Sequence, residues 1–231
     1  MSEDNADAAG DILSSCASCG IAESDDVKLK YCTACYLVKY CSIICQKDHR
    51  KQHKRGCKKR AAELRDELLF KQPESTHLGD CPICCLPLPL GSKKSSMAPC
   101  CSKIICKGCR YANMKREEEM RLKQTCPFCR EPLPGTDEET DKLRMKRVEV
   151  NDPDAMVHEG AVQCGKKNYT KAVEYWTKAA ALGSADAHCK LGAMYHDGEG
   201  VEKDKGKQIH HAEEAAIGGH ARARYLLGCE E

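Results

Sequence analysis

The sequence predicts a multi-domain chain in which two small, loop-rich α+β modules precede an all-α solenoid of helix-turn-helix repeats. Sixteen of the nineteen cysteines lie between Cys16 and Cys129, most of them in closely spaced pairs. Similar residues recur at intervals of 32 to 36 positions in the last third of the chain. With two Phe and one Trp in 231 residues, the cysteine-rich part has too few large apolar side chains for a conventional core.

The cysteine pairs predict zinc. Two cysteines two or three residues apart let one turn of backbone present two thiolates to one ion, and two pairs complete a tetrahedral site. The pairs form two series of four, so we expect four zinc ions as cofactors. The first series is Cys16/Cys19, Cys32/Cys35, Cys41/Cys45 and His53/Cys57. The second is Cys81/Cys84, Cys100/Cys101, Cys106/Cys109 and Cys126/Cys129.

Composition and charge exclude several classes of protein. The chain begins acidic and polar without an apolar signal segment, which indicates reduced thiols and a cytoplasmic and/or nuclear location. No run approaches the roughly 18 apolar residues that span a bilayer. A net charge of +2 does not by itself indicate a nucleic-acid partner. Catalytic residues are not expected, because four protein ligands at each zinc leave no position for water.

The organisation along the chain follows from composition and periodicity. A helical pattern with Leu64 and Leu68 on one face follows the first module, and a charged helix is predicted at 110–124. The predicted parts are a disordered N-terminus (1–13), a first zinc module (14–58), a helical linker (59–76), a second zinc module (77–132), a polar linker (133–150) and helical repeats with an incomplete last unit (151–231).

The eight donors of the first module can pair sequentially, as two knuckles, or alternately, as one cross-brace. The stretch Tyr40–Cys57, with its Cys45-Gln46 step and its His53-x3-Cys57 ending, resembles a MYND zinc finger. The resemblance implies a cross-brace and binding of short, often proline-containing peptides. It implies one site from Cys16, Cys19, Cys41 and Cys45, and another from Cys32, Cys35, His53 and Cys57.

Near the His53-x3-Cys57 ending lie a second histidine, a departure from the family pattern and a basic run. His49 is a rival donor to His53, and we expect it to be a solvated side chain instead. Arg50 stands where the family usually has Trp, which predicts weaker packing of that helix. The basic run 47–60 is expected to be a solvated helix face, although a nucleic-acid-binding or nuclear-import role is an alternative.

The second module resembles a RING domain through Cys81-Pro-Ile-Cys84 and Cys126-Pro-Phe-Cys129-Arg130. The adjacent cysteines at its centre depart from the Cys-x-His that RING domains commonly carry, and Cys85 is an alternative donor. The resemblance implies one site from Cys81, Cys84, Cys106 and Cys109, and another from Cys100, Cys101, Cys126 and Cys129.

A RING domain holds a ubiquitin-conjugating enzyme and orients its thioester-linked ubiquitin. The resemblance implies that Ile83, Pro127 and Arg130 contact these partners. Asn113 stands where active ligases often have a bulky apolar side chain, which weakens this interpretation. A ubiquitin-protein ligase and a non-enzymatic zinc scaffold therefore stay open as the two main functions, beside the nucleic-acid-binding alternative that rests on the basic run 47–60.

The last part repeats itself: Ala187 and Gly192 have counterparts 36 residues later and 32 residues earlier. Leu191–Asp204 followed by Ala212–Gly218 resembles the Sel-one-like repeat, a relative of tetratricopeptide repeats that usually scaffolds other proteins. Trp176 is expected to pack between helices. The combination of MYND, RING and Sel-one-like parts resembles a protein family of diatoms and other unicellular algae.

Overall fold

The computed structural model describes residues 14–72, 76–91 and 94–228. The predicted disorder of residues 1–13 lies outside the described residues. The chain divides into two compact units, residues 1–71 and 72–231. None of the helices in the described ranges is both long and apolar enough to cross a membrane.

The first unit joins a two-stranded hairpin to one long helix. Strands β1 (Lys30–Tyr31) and β2 (Lys39–Tyr40) pair antiparallel, with Lys30 opposite Tyr40. Helix α1 (Ile43–Phe70) begins after Ser42, which has an extended backbone and whose hydroxyl accepts from the Cys45 N–H at 3.2 Å. Among residues 14–71 of this unit, the buried ones are Cys16, Leu29, Cys32, Cys35 and Tyr40.

Helix α1 extends from the first module into the predicted helical linker. It runs for 28 residues through the boundary expected at residues 58–59, so the last predicted zinc donors and the linker share one helix. Arg60 supports this continuity, since its guanidinium bonds Glu63 at 3.3 Å and Glu67 at 2.9 Å along the helix surface. None of the residues of α1 is buried.

In the second unit, the other cysteine-rich module again has one small sheet and one helix. Strands β3 (Ser95–Met97) and β4 (Ile104–Cys106) pair antiparallel and lead directly into α2 (Lys107–Glu119). The helix predicted at 110–124 thus lies a few residues earlier. It ends at Glu119 because the chain turns back there: the buried Glu117 carboxylate accepts from the Thr125 backbone N–H at 3.1 Å and from its hydroxyl at 2.6 Å.

The rest of the unit is helical, as the repeats predict. The helices are α3 (Asp137–Glu149), α4 (Pro153–Gly165), α5 (Tyr169–Ala181), α6 (Ala185–Asp197), α7 (Lys205–Ile217) and α8 (Ala221–Gly228). Consecutive helices pack against one another from α3 to α8, which confirms the predicted solenoid. Trp176 is buried as expected, and its Nε1–H donates to the Val157 carbonyl at 3.1 Å.

Helix α3 corrects the polar linker expected at 133–150. The Thr136 hydroxyl caps its first turn, and acidic residues begin it while basic residues end it. Its buried anchor is Arg144, whose Nε donates to Glu159 on α4 at 2.7 Å. Because the side chain that faces the neighbouring helix is charged, apolar periodicity does not reveal this helix.

Candidate metal centres

Four of the predicted cysteine pairs lie in separate loops that share one backbone conformation. In each loop the residue after the second cysteine donates its N–H to the carbonyl of the first cysteine, at 2.8–2.9 Å. That residue has a positive φ, between 56° and 76°, which turns the chain so that both sulfurs face the same side. The four residues are Gly20, Tyr36, Cys85 and Arg130.

The structure gathers the predicted donors into four groups, within each of which the ligand atoms lie no more than 4.8 Å apart. In both modules the pairs alternate between two groups, as the cross-brace interpretation expects. The groups are Cys16, Cys19, Cys41 and Cys45; Cys32, Cys35, His53 and Cys57; Cys81, Cys84, Cys106 and Cys109; and Cys100, Cys101, Cys126 and Cys129.

The spacing of the donors fits zinc. An ion bonded to four sulfurs at about 2.3 Å in a tetrahedron holds the sulfurs about 3.8 Å apart, whereas a disulfide holds two at about 2.0 Å. All eighteen cysteines in the described ranges are free thiols. One Sγ–Sγ distance from each group is 3.6 Å for Cys19–Cys41, 3.7 Å for Cys32–Cys57, 3.9 Å for Cys84–Cys106 and 3.9 Å for Cys101–Cys126.

The electrostatics of the groups also suit a dication. Burial opposes ionisation of the Cys16 thiol, but the backbone N–H groups of Cys19, Cys41 and Ser18 outweigh it and lower its pKa to about 6. In the second group, burial and the neighbouring thiols raise the pKa of Cys57 to about 12. The Cys16 thiol therefore ionises readily, whereas the Cys57 thiol of the second group resists ionisation. A bound cation removes that resistance, and its binding releases protons.

The structure joins His53, not His49, to the predicted donors. His53 Nε2 lies 3.3 Å from Cys35 Sγ. The expectation that His49 is a solvated side chain is wrong: it is half-buried, its Nδ1 lies 3.0 Å from the Tyr40 hydroxyl, and its ring stacks on His53 at 5.7 Å. His49 lies one helical turn before His53, so the two rings share a face of α1.

The adjacent cysteines at the centre of the second module lie in one group. Cys100 Sγ is 3.3 Å from Cys129 Sγ, and Cys101 reaches Cys126. The chain bends here, since Ser102 has φ 56° and its N–H donates to the Ala98 carbonyl at 2.8 Å. Cys85 lies outside all the groups and is exposed.

The three predicted partner contacts lie on or beside the loops of the second module. Ile83 is 41% exposed, Pro127 is half-buried and Arg130 is exposed. Arg130 already has a partner, because its guanidinium donates to Asn113 Oδ1 at 2.9 Å. Asn113 in turn donates to the Thr125 carbonyl at 3.2 Å, so this side chain ties α2 to the last cysteine loop.

A further group of possible ligands was not predicted. His77, Asp186 and His220 place one donor atom each within 4.8 Å of the others, in the unit formed by residues 72–231. The three residues are far apart in sequence and have no paired neighbours, so spacing contains no signal for them. Only the packing of the second module on the repeats brings them together.

Comparisons with known proteins identify two of the three parts. Residues 16–57 match the MYND finger family. Residues 155–184 and 185–220 match the Sel1 repeat. A solved Sel1 repeat protein from Oxalobacter formigenes is 30% identical, with a TM-score of 0.39. The match covers 42% of this chain and 41% of that protein's length. Among curated proteins, none matches.

These findings confirm the MYND and Sel1 resemblances. They do not show a RING-type finger in the second module, and they give no support to an algal protein family. MYND fingers and Sel1 repeats are generally protein-interaction modules. Together with the cysteine and histidine groups, they support a zinc-binding protein-interaction adaptor.

Proposed function

We propose that the chain is an adaptor whose two cysteine-rich modules are held together by four structural zinc ions. The observation that carries this proposal is that each of the four groups contains four protein donors. Four donors fill a tetrahedral zinc, so these ions organise surfaces and do not activate water. The surfaces they organise then bind protein partners.

The hairpin of the first module is the surface proposed for a peptide. Tyr31 and Tyr36 are 43% and 61% exposed, with ring centroids 6.4 Å apart. Lys39 Nζ lies 4.9 Å above the Tyr31 ring. Exposed aromatic rings are the usual docking sites for proline-containing peptides in extended conformation. This surface supports the peptide-binding role that the MYND resemblance implies.

Native mass spectrometry of the reduced full-length chain tests the zinc assignment. We expect a zinc-loaded species that loses one ion on replacing a single donor in any group, for example Cys16→Ser or Cys129→Ser. Cys164→Ser is the matched control, because Cys164 lies on α4 outside every group, and it should keep all ions. Metal-free yet folded protein would contradict the proposal.

Ubiquitin ligase activity is a second candidate, favoured by exposed residues at the positions where the RING resemblance implies partner contacts. Ile83 offers an apolar surface, and Arg130 keeps further N–H donors beside the one that bonds Asn113. A RING contributes no nucleophile. It raises the rate by holding the thioester-linked ubiquitin in a reactive orientation.

An autoubiquitination assay with a panel of conjugating enzymes separates the two candidates. Chain formation by the wild type that Ile83→Ala or Arg130→Ala abolishes would support the ligase. Leu90→Ala is the matched control, because Leu90 is also an exposed aliphatic residue of this module. An unchanged zinc count shows that each variant is folded. If no enzyme supports chain formation, the non-enzymatic adaptor is the better description.

A further inference from the structure

Three donors from distant parts of the sequence meet where the second module packs on the repeats. His77 precedes Cys81, Asp186 lies in the first turn of α6, and His220 immediately precedes α8. One nitrogen of each imidazole and one carboxylate oxygen lie within 4.8 Å of one another. Both histidines approach Asp186, and their rings stack with centroids 4.1 Å apart and planes 27° apart.

His77 contains an unused nitrogen. Its Nδ1 is buried and has no hydrogen-bond partner. A buried imidazole nitrogen without a hydrogen-bond partner is available to a ligand, and its lone pair can bind a metal ion.

The other two residues do not satisfy one another fully. His220 is 7% exposed, and its Nε2 lies 3.5 Å from Asp186 Oδ1, at the outer limit of a hydrogen bond. Asp186 is 39% exposed. Two imidazoles and a carboxylate therefore converge at a partly buried place where their mutual hydrogen bonds are weak or missing.

We propose that His77, Asp186 and His220 form an additional binding site for a divalent transition-metal ion such as Zn²⁺, which ties the second cysteine-rich module to the repeats. Two imidazoles and one carboxylate are a donor set that zinc accepts. Bonds of about 2.0–2.1 Å place tetrahedral ligands about 3.4 Å apart, so the donors close by a small movement on binding.

The fourth position of such an ion has room for another ligand. His77 and Asp186 line a cavity of about 550 Å³, which extends between the second module and the N-terminal ends of the nearby helices. A water or a small anionic group can complete the coordination from there. This site differs from the four cysteine groups, in which the protein supplies every ligand.

Metal binding should break one hydrogen bond at the start of α8, and this loss can be measured. His220 Nδ1 accepts from the Ala223 backbone N–H at 3.3 Å in the first turn of α8. An ion at Nε2 requires the imidazole proton to reside on Nδ1, and the contact with Ala223 is then lost. Zinc should therefore shift the amide resonance of Ala223 while it strengthens the connection between His77 and the repeats.

The test is a zinc count by native mass spectrometry on the full-length, zinc-saturated chain. We expect the wild type to hold one more ion than His77→Ala and one more than Asp186→Asn. His196→Ala is the matched control: His196 faces Asp197 at 2.8 Å on the exposed side of α6, but this pair belongs to none of the metal-ligand groups among the described residues. It should keep the full count.

The difference in zinc count between the wild type and each variant does not depend on how many ions the cysteine groups hold. Its outcome is therefore independent of the adaptor proposal. Equal counts in the wild type and in both variants overturn the additional site. They would leave a hydrogen-bonded contact of His220 with Asp186 as the explanation of the cluster. A zinc-dependent shift of the Ala223 amide that His77→Ala removes provides a second, independent confirmation.

Discussion

The cysteine-rich modules and the repeats fill their interiors with different atoms. Three of the five buried residues in the core of the first module are cysteines, and the core of the second module includes Cys81 and Cys126. The core around Trp176 contains no buried cysteine and is made mostly of alanine, leucine and methionine. Small side chains let helices approach closely, and apolar area then supplies the stability. With few buried apolar residues besides cysteine, we expect the modules to depend on the ions proposed to bind their thiols.

This difference predicts that zinc removal unfolds the two cysteine-rich modules and leaves the helical repeats folded. EDTA should remove the amide protection of residues 16–57 and 81–129, because structural zinc in small modules contributes about 10–16 kcal/mol of apparent folding free energy. The protection of α4–α7 should persist. Hydrogen exchange with mass spectrometry measures both regions in one experiment. Unchanged protection of the modules would show that they do not need the metal.

Replacing the buried Arg144–Glu159 ion pair is the converse test, since it should change the stability of the helical region and not the zinc sites. Arg144→Met should destabilise the helical region by about 3–5 kcal/mol, because the Glu159 carboxylate stays buried without its cation. Replacing both residues by Met should recover most of the loss. Asp141→Asn is the control: Asp141 is 51% exposed, and its loss should cost about 1 kcal/mol or less.

Urea unfolding of the helical region measures these free energies, and native mass spectrometry should find the zinc count unchanged. If Arg144→Met lowers the zinc count as well, the two regions depend on each other more than their separate cores indicate.

Close helix packing in the repeats can be tested at one glycine. A Cβ at position 160 would lie 2.7 Å from Trp176 Cδ1, so Gly160→Ala should destabilise the repeats by about 1–3 kcal/mol. Gly165→Ala, at the end of the same helix, meets no heavy atom within 4 Å and should be neutral or slightly stabilising. Thermal unfolding compares the two, and equal effects would contradict the packing argument.

The smallest effect is expected in the cysteine loops. Cys85 has φ 56°, a conformation that favours glycine, so Cys85→Gly should stabilise the zinc-bound second module by about 0.5–1 kcal/mol. Gly20→Ala, at the equivalent position of the first module, should destabilise by a similar amount. Zinc retention against a chelator on heating measures both. Loss of an ion in Cys85→Gly would instead make Cys85 a ligand.

Local sequence patterns predicted the features that depend only on neighbouring residues, namely the cysteine loops and the helical repeats. Cysteines two or three positions apart can be assigned to one loop without any knowledge of the fold. Their alternating pairing came from the MYND and RING resemblances, and the structure gathers them in that order. The recurrence of Ala187 and Gly192 likewise predicted the solenoid, because packed helices require small residues at regular intervals.

The failures concern side chains whose partners lie elsewhere in the chain. Helix α3 was missed because its buried residue is Arg144, which periodicity counts as a surface residue until Glu159 is known to face it. His49 was assigned to solvent because the Tyr40 hydroxyl, nine residues away, cannot be anticipated from spacing.

The sequence alone predicted that thiol pairs organise the first half, since the spacing of donors along a turn is a local property. Tertiary structure alone decided what Asn113, Arg144 and His77 do. Asn113 joins α2 to Arg130 and Thr125, Arg144 joins two helices, and His77 meets Asp186 and His220. Each of these roles is a contact between groups far apart in the chain, and only packing brings such groups within bonding distance.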